Sequence, residues 1–280
     1  MPSDMIGRMK HVTIQGHDVP ALGLGTWDIR GNAGVRSIID ALAAGYRHID
    51  TAQIYENEVQ VGQGIKGSDV PREEVFLTTK IQPDKFSGPA ATKAVQQSLR
   101  DTGTDYIDLM LLHWPSRSVP VGETLSSLVK LQDAGLIKHI GLSNFNTALV
   151  KEAARHATIF NNQIEYHPYL TQQKISAQAR KMDYLLTAYS PLCKRKVLDD
   201  PALTEIGHAH GKSPVQVTLR WLIQQPKVAA IPKAAGKHQA ANLDIFDFEL
   251  STTEMQRIHG LACGDRIVAP GGFTPDWDEE

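Results

Sequence analysis

Four side chains of complementary chemistry fall where they could share one cavity. Asp50, Lys80 and His113 each close a short β-rich run, and Tyr55 follows Asp50 by a few residues. A carboxylate, an ammonium, an imidazole and a phenol at one rim are the raw material of proton-transfer chemistry. Taken singly each has an ordinary use: Asp50 could cap a helix, Lys80 could end a strand in solvent, and His113 could be a satisfied core histidine. Their coincidence at the same end of neighbouring strands is what suggests a site.

The elements that must position them are eight β-rich runs, at 22–26, 46–50, 75–80, 106–113, 138–143, 161–165, 185–190 and 228–232. Between them lie segments of helical period, such as Val35, Ile38, Ile39 and Leu42, or Leu149, Val150, Ala153, Ala154 and Ala157. Strands joined by helical crossovers are parallel, and eight such units favour a closed (β/α)8 TIM barrel over an open sheet. In such barrels the active site forms at the C-terminal ends of the strands, where the four candidates converge. The segment 11–20, two extended pieces around Gly16, reads as a hairpin plugging the barrel floor. Two helix-like pieces, 201–210 and 214–224, share the gap after the seventh strand, so one is an insertion. From Gly264 onward the chain is rich in Gly, Pro and Asp but carries Phe273 and Trp277, which suggests a mobile tail folding over the mouth.

Composition sets the limits. The 280 residues match one barrel of roughly 250 residues, so a single domain over 1–280 is expected, and 41% apolar with 21% charged residues is ordinary for a packed domain. A net charge of −2, with both signs scattered, gives no broad face for nucleic acid or anionic lipid. No apolar run approaches the roughly 20 residues that cross a bilayer, and a cytoplasmic protein is the plain reading. Cys193 and Cys263 form no cluster and read as packing residues.

Specific motifs then run along the chain: Gly23-Leu-Gly-Thr-Trp27, His48-Ile-Asp-Thr-Ala52 with Tyr55 and Asn57, Leu112-His-Trp-Pro115, Gly141-Leu-Ser-Asn-Phe145, Gln163, Ala188-Tyr-Ser-Pro-Leu192, and Ile231-Pro-Lys233 with Asn242 and Phe246-Asp-Phe-Glu-Leu250. In these the chain resembles the aldo-keto reductases, and within them the bacterial 2,5-diketo-D-gluconate and methylglyoxal reductase group. The resemblance implies reduction of a carbonyl compound by NADPH, with Tyr55 as general acid, Lys80 and Asp50 as its tuning pair and His113 orienting the carbonyl. An ammonium beside Tyr55 should lower its pKa from about 10. No metal is called for. The resemblance also implies a monomer whose partner is a small carbonyl compound, with neither nucleic acid nor membrane.

The same resemblance lays the cofactor along Gly25, Thr26 and Trp27, stacks its nicotinamide on Tyr189, holds the carboxamide with Ser143, Asn144 and Gln163, and continues past Ser190 and Leu192 to Lys233, His238 and Asn242. Many members carry Ser after the lysine matching Lys233, and Arg four residues before the asparagine matching Asn242. Here Ala234 and His238 stand instead, so with Lys233 and Lys237 as the remaining cations the preference for NADPH over NADH should be modest. Pocket walls are expected from Trp27, Gln53, Ile54, Trp114 and Trp277. With only 17 residues after Cys263, the site should be open and accept aldehydes, α-diketones, ketoaldehydes and keto-sugars.

Two patterns mislead. Gly62-Gln-Gly-Ile-Lys-Gly67 matches the dinucleotide fingerprint literally, but Glu56–Gln60 before it is no buried strand. His208-Ala-His210 mimics a metal pair, yet falls at a helix end instead of a strand end. The functional alternatives are a metal-dependent hydrolase and a non-catalytic NADPH-binding sensor or interaction subunit on the same barrel.

Overall fold

A computed structural model of the chain describes residues 9–278. Val12, Ile14 and Val19 turn inward from a hairpin of β1 (His11–Ile14) and β2 (His17–Pro20), which reverses at Gly16 with φ of 82°. Its turn residue Gln15 donates from Nε2 to the carbonyls of Ile159 and Asp183, just ahead of two barrel strands. The hairpin therefore covers the floor, as its sequence suggested.

The barrel strands follow as β3 (Leu24–Gly25), β4 (His48–Asp50), β5 (Phe76–Ile81), β6 (Ile107–Leu112), β7 (Ile137–Ser143), β8 (Asn161–Glu165), β9 (Leu185–Tyr189) and β10 (Val228–Ala230). All are parallel, each paired with its neighbours in sequence. β6 and β8 are buried at every position, because the interior fills one face and helices cover the other. β3 and β10 meet through bridges at Leu22–Ala230 and Gly25–Lys233, with Gly23 N donating to Ala230 O at 2.8 Å and Gly25 N to Pro232 O at 3.1 Å. The seam closes the (β/α)8 barrel. A Cβ on Gly25 would fall 2.6 Å from the Ile231 carbonyl oxygen, so glycine there is demanded by closure itself. Expected strands 22–26 and 228–232 are longer than the regular ladder, since the seam is made of isolated bridges.

The helices are α1 (Gly31–Ala44), α2 (Glu58–Lys66), α3 (Gly88–Thr102), α4 (Val121–Asp133), α5 (Thr147–Ala153), α6 (Gln173–Met182), α7 (Pro201–His210), α8 (Pro214–Gln224), α9 (Lys237–Leu243) and α10 (Thr252–His259). Both α7 and α8 lie between β9 and β10, which confirms the insertion. Asp200 caps α7 ahead of Pro201, and Ser213 with Gln216 forms a capping box on α8. The false fingerprint lies within and just after α2, where a Cβ on Gly62 would overlap the Thr102 carbonyl and one on Gly64 would strike Ile38. Those two glycines serve helix packing. His210 pairs with Glu254 of α10 at 2.8 Å, so the apparent metal pair joins two outer helices. Cys193 is buried, but Cys263 is exposed, which corrects its reading as a packing residue. Among the described residues no helix is long and apolar enough to cross a membrane.

Candidate active site

Four neighbouring elements deliver the four candidates to one place. Asp50 ends β4, Lys80 lies one residue before the end of β5, and His113 directly follows β6 with its N–H bonded to Ile81 O. After β4 a short 3-10 turn, Gln53–Tyr55, swings Tyr55 back over the barrel. Asn57 steadies this loop, accepting from Thr51 Oγ1 at 2.7 Å and donating to the carbonyls of Thr26 and Ile29. The Lys80 ammonium, fully buried, donates to Asp50 Oδ1 at 2.6 Å and Thr51 O at 2.8 Å, and reaches the Tyr55 hydroxyl at 3.4 Å. The other Asp50 oxygen accepts from Gln163 Nε2 at 2.7 Å.

The electrostatics follow from that enclosure. Burial pulls the Lys80 pKa down, but Asp50 and Tyr55 more than reverse the effect and hold it above the usual value, so the group is an ammonium. Tyr55 departs from the sequence expectation. Burial raises its pKa, and although Lys80 opposes that rise, the balance stays upward. The phenol thus retains its proton at neutral pH. His113 is driven well below the ordinary histidine range, by burial first and Lys80 second, and is neutral.

Around this core the other expected residues divide. Trp27 is 55% exposed with its ring edge-on to Tyr55 at 5.0 Å, and Ile54 is 50% exposed, so both stand at the mouth. Trp114 is buried at 7% exposure. Gln53 does not present its amide to the cavity: Nε2 bonds Ala94 O and Ser98 of α3, while Oε1 accepts from Lys85. Through these bonds it braces the turn against α3. Asn144, left-handed with φ of 64°, accepts from the Tyr189 hydroxyl at 2.7 Å and donates to His113 O and Ser143 Oγ. Asn144 and Gln163 thus already direct their amide N–H groups into the protein. Thr26 is buried at the end of the seam, Ser190 and Leu192 sit in the turn after β9, and Lys233 is exposed with Asp28 3.8 Å away. His238 and Lys237 are exposed in the first turn of α9, whereas Asn242 is buried beside the Tyr46 hydroxyl.

Sequence reading missed Lys194 and Arg195, exposed cations held left-handed after β9, although the run Lys194-Arg195-Lys196 was a visible signal. It also missed Glu165. Fully buried at the end of β8, its carboxylate accepts from the backbone N–H of Ile267 at 2.7 Å and Val268 at 2.9 Å, and from His167. Farther along, Arg117 donates to Thr274 O, Asn146 to Asp276 O, and Thr147 to Asp278. The Arg266 guanidinium lies 3.8 Å over the Trp277 ring. These contacts make the tail a strap across the β6, β7 and β8 side of the mouth. Glu165→Gln leaves one of the two amides without its carboxylate acceptor. We expect residues 264–278 to exchange backbone hydrogens faster in this variant, as if destabilised locally by about 1–3 kcal/mol, measured by mass-resolved hydrogen exchange.

Residues 21–262 match the model of the aldo/keto reductase family. The chain belongs to the aldo/keto reductase family. It is 40% identical over 265 residues to the glyoxal reductase of Bacillus subtilis (strain 168), covering 93% of this chain and 94% of that one. It is 38% identical over 268 residues to methylglyoxal reductase DkgB of Salmonella typhi, at 93% and 99% coverage. A solved structure provisionally named 2,5-diketo-D-gluconic acid reductase B superposes with a TM-score of 0.94 at 46% identity, over 97% of this chain and 98% of that one. This aldo/keto reductase is accordingly an oxidoreductase of carbonyl compounds.

Proposed function

We propose that the chain is an NADPH-dependent reductase of small activated carbonyl compounds, namely aldehydes, α-diketones, ketoaldehydes and keto-sugars, with Tyr55 as the proton donor. The observation that carries this reading is the buried Asp50–Lys80 ion pair with the Tyr55 hydroxyl 3.4 Å from the ammonium. Reduction puts developing negative charge on the carbonyl oxygen, which must meet positioned donors. Tyr55 supplies one and gives up its proton as the alkoxide forms. The phenolate left behind faces the Lys80 ammonium, and Asp50 keeps that ammonium charged and in place. Neutral His113 supplies a second hydrogen bond to the same oxygen.

The residues present fit a nicotinamide cofactor. When bound, it supplies hydride to the carbonyl carbon. Tyr189 offers a partly exposed ring for stacking, while the Ser143 hydroxyl and Gln163 Oε1 are left to meet a carboxamide. Gly25, Thr26 and Trp27 on one side and Ser190 and Leu192 on the other would flank it. Exposed Lys194, Arg195, Lys233, Lys237 and His238 suit its phosphates. Asp28 beside Lys233 works against them. NADPH should bind more tightly than NADH, by a factor on the order of ten, because no arginine fork reads the 2′-phosphate. Dissociation constants for both cofactors check this, and tighter NADH binding would overturn it.

The substrate range is supported by the names of the relatives, two of which are reductases of glyoxal or methylglyoxal. It also suits a mouth with exposed Trp27 and Ile54, since a neighbouring electron-withdrawing group makes any carbonyl a better hydride acceptor. NADPH oxidation across aldehydes, α-diketones, ketoaldehydes and keto-sugars tests the proposal. Turnover is expected to be fastest with the vicinal dicarbonyls. Silence across the panel with cofactor still bound would turn the reading to an NADPH-binding sensor.

A further inference from the structure

Gln82 takes no part in the scheme above, yet it touches one of its members. It follows β5 directly and opens the short 3-10 turn Pro83–Lys85. Its Nε2 lies 3.1 Å from His113 Nδ1. Both residues are anchored on one rung of the sheet. Ile81 and Leu112 pair in register, His113 N donates to Ile81 O at 3.0 Å, and His113 O accepts from Asn144 Nδ2 at 3.0 Å. With both backbones so fixed, the side-chain contact is a consequence of the fold.

A neutral imidazole has one N–H and one lone pair, and the hydrogen bond made by one nitrogen decides what the other can do. An amide NH2 directed at Nδ1 requires the lone pair there, which leaves the proton on Nε2. We propose that Gln82 holds His113 in the Nε2–H tautomer and is thereby a positioning residue for carbonyl reduction, an inference that rests on the function proposed above. The imidazolium, which would donate from both nitrogens, is disfavoured by burial and by the nearby Lys80 ammonium. Of the groups facing the ring, Lys80 is a cation, Tyr55 is a protonated phenol whose ring centroid lies 6.0 Å away, and Gln82 is neutral. Gln82 is thus the neighbour that reads Nδ1. A histidine with its proton on Nδ1 would offer a carbonyl oxygen a lone pair at Nε2 and repel it.

The discriminating variant is Gln82→Glu. It preserves length and shape, but a carboxylate can only accept, so it demands a proton on Nδ1. Long-range proton–nitrogen NMR of uniformly 15N-labelled protein reports the protonated nitrogen, with His113 assigned by its disappearance in His113→Asn. Wild type is expected to show Nε2–H, Gln82→Glu to show a proton on Nδ1, and Gln82→Met to show both tautomers. In steady state Gln82→Glu should lose about 100-fold in kcat/KM, the scale of one oxyanion-stabilising donor, with NADPH affinity unchanged. Gln82→Met should lose less. A wild-type proton on Nδ1, or an unchanged Nε2–H signature in Gln82→Glu or Gln82→Met, overturns the proposal. The spectra need no turnover. Wild-type protein that reduces no carbonyl but shows the expected tautomers would refute the proposed function, and with it the role in reduction, while leaving the control of the His113 tautomer by Gln82 standing.

Discussion

Tyr55→Phe is expected to fold, to bind NADPH with unchanged affinity and to lose about 10²–10⁴ in kcat. The ring stays and keeps its edge-on contact with Trp27. Only the hydroxyl goes, and its contact with Lys80 is long at 3.4 Å, so little stability depends on it. Because burial holds the phenol pKa upward, the proton lost is one that wild type carries at neutral pH, and the defect should persist at every pH between 6 and about 9. Single-turnover reduction of methylglyoxal, with cofactor affinity by fluorescence titration, checks this. Near-wild-type turnover would remove Tyr55 from its assigned role.

Lys80→Met is expected to fail differently. Removing the ammonium leaves Asp50 buried with one oxygen still bound to Gln163 and the other without its cation. Breaking a buried pair on one side costs about 3–5 kcal/mol, which for a chain of this size lowers Tm by on the order of 10 °C. Turnover should fall by about 10² or more, since nothing then stabilises the phenolate. The double variant Asp50→Asn/Lys80→Met separates the two losses. It removes both charges, so thermal stability should largely return while turnover does not. Recovery of turnover with stability would mean that the pair holds only the fold.

Much of this architecture was legible because strands buried on both faces are written as near-continuous apolar runs, as Ile107–Leu112 is. Three candidates were legible because they close such runs, and Tyr55 because it follows one. Less could be read where tertiary packing decides. Gln53 stands in the loop that carries Tyr55, but the 3-10 turn rotates its amide onto α3, and no local pattern announces that. Gln82 and His113 lie 31 residues apart and meet only through the β5–β6 register. At Tyr55 a sequence shows the neighbouring Lys80 charge, which does lower the pKa, but not the depth of burial, which raises it by more. The ends of β3 and β10 were drawn too long, since a closing seam of isolated bridges leaves the same side-chain pattern as a regular ladder.

The strap at the mouth is gripped in a way that carries a separate implication. Glu165 holds it through the peptide N–H groups of residues 267 and 268, which every amino acid except proline possesses. Where the strap attaches there is therefore independent of which side chains it bears. Exchanging side chains such as those of Arg266, Phe273 and Trp277 removes neither of those two N–H groups, so diversification of this segment should leave the Glu165 fastening in place. Proline at 267 or 268 is the change such a library should leave out.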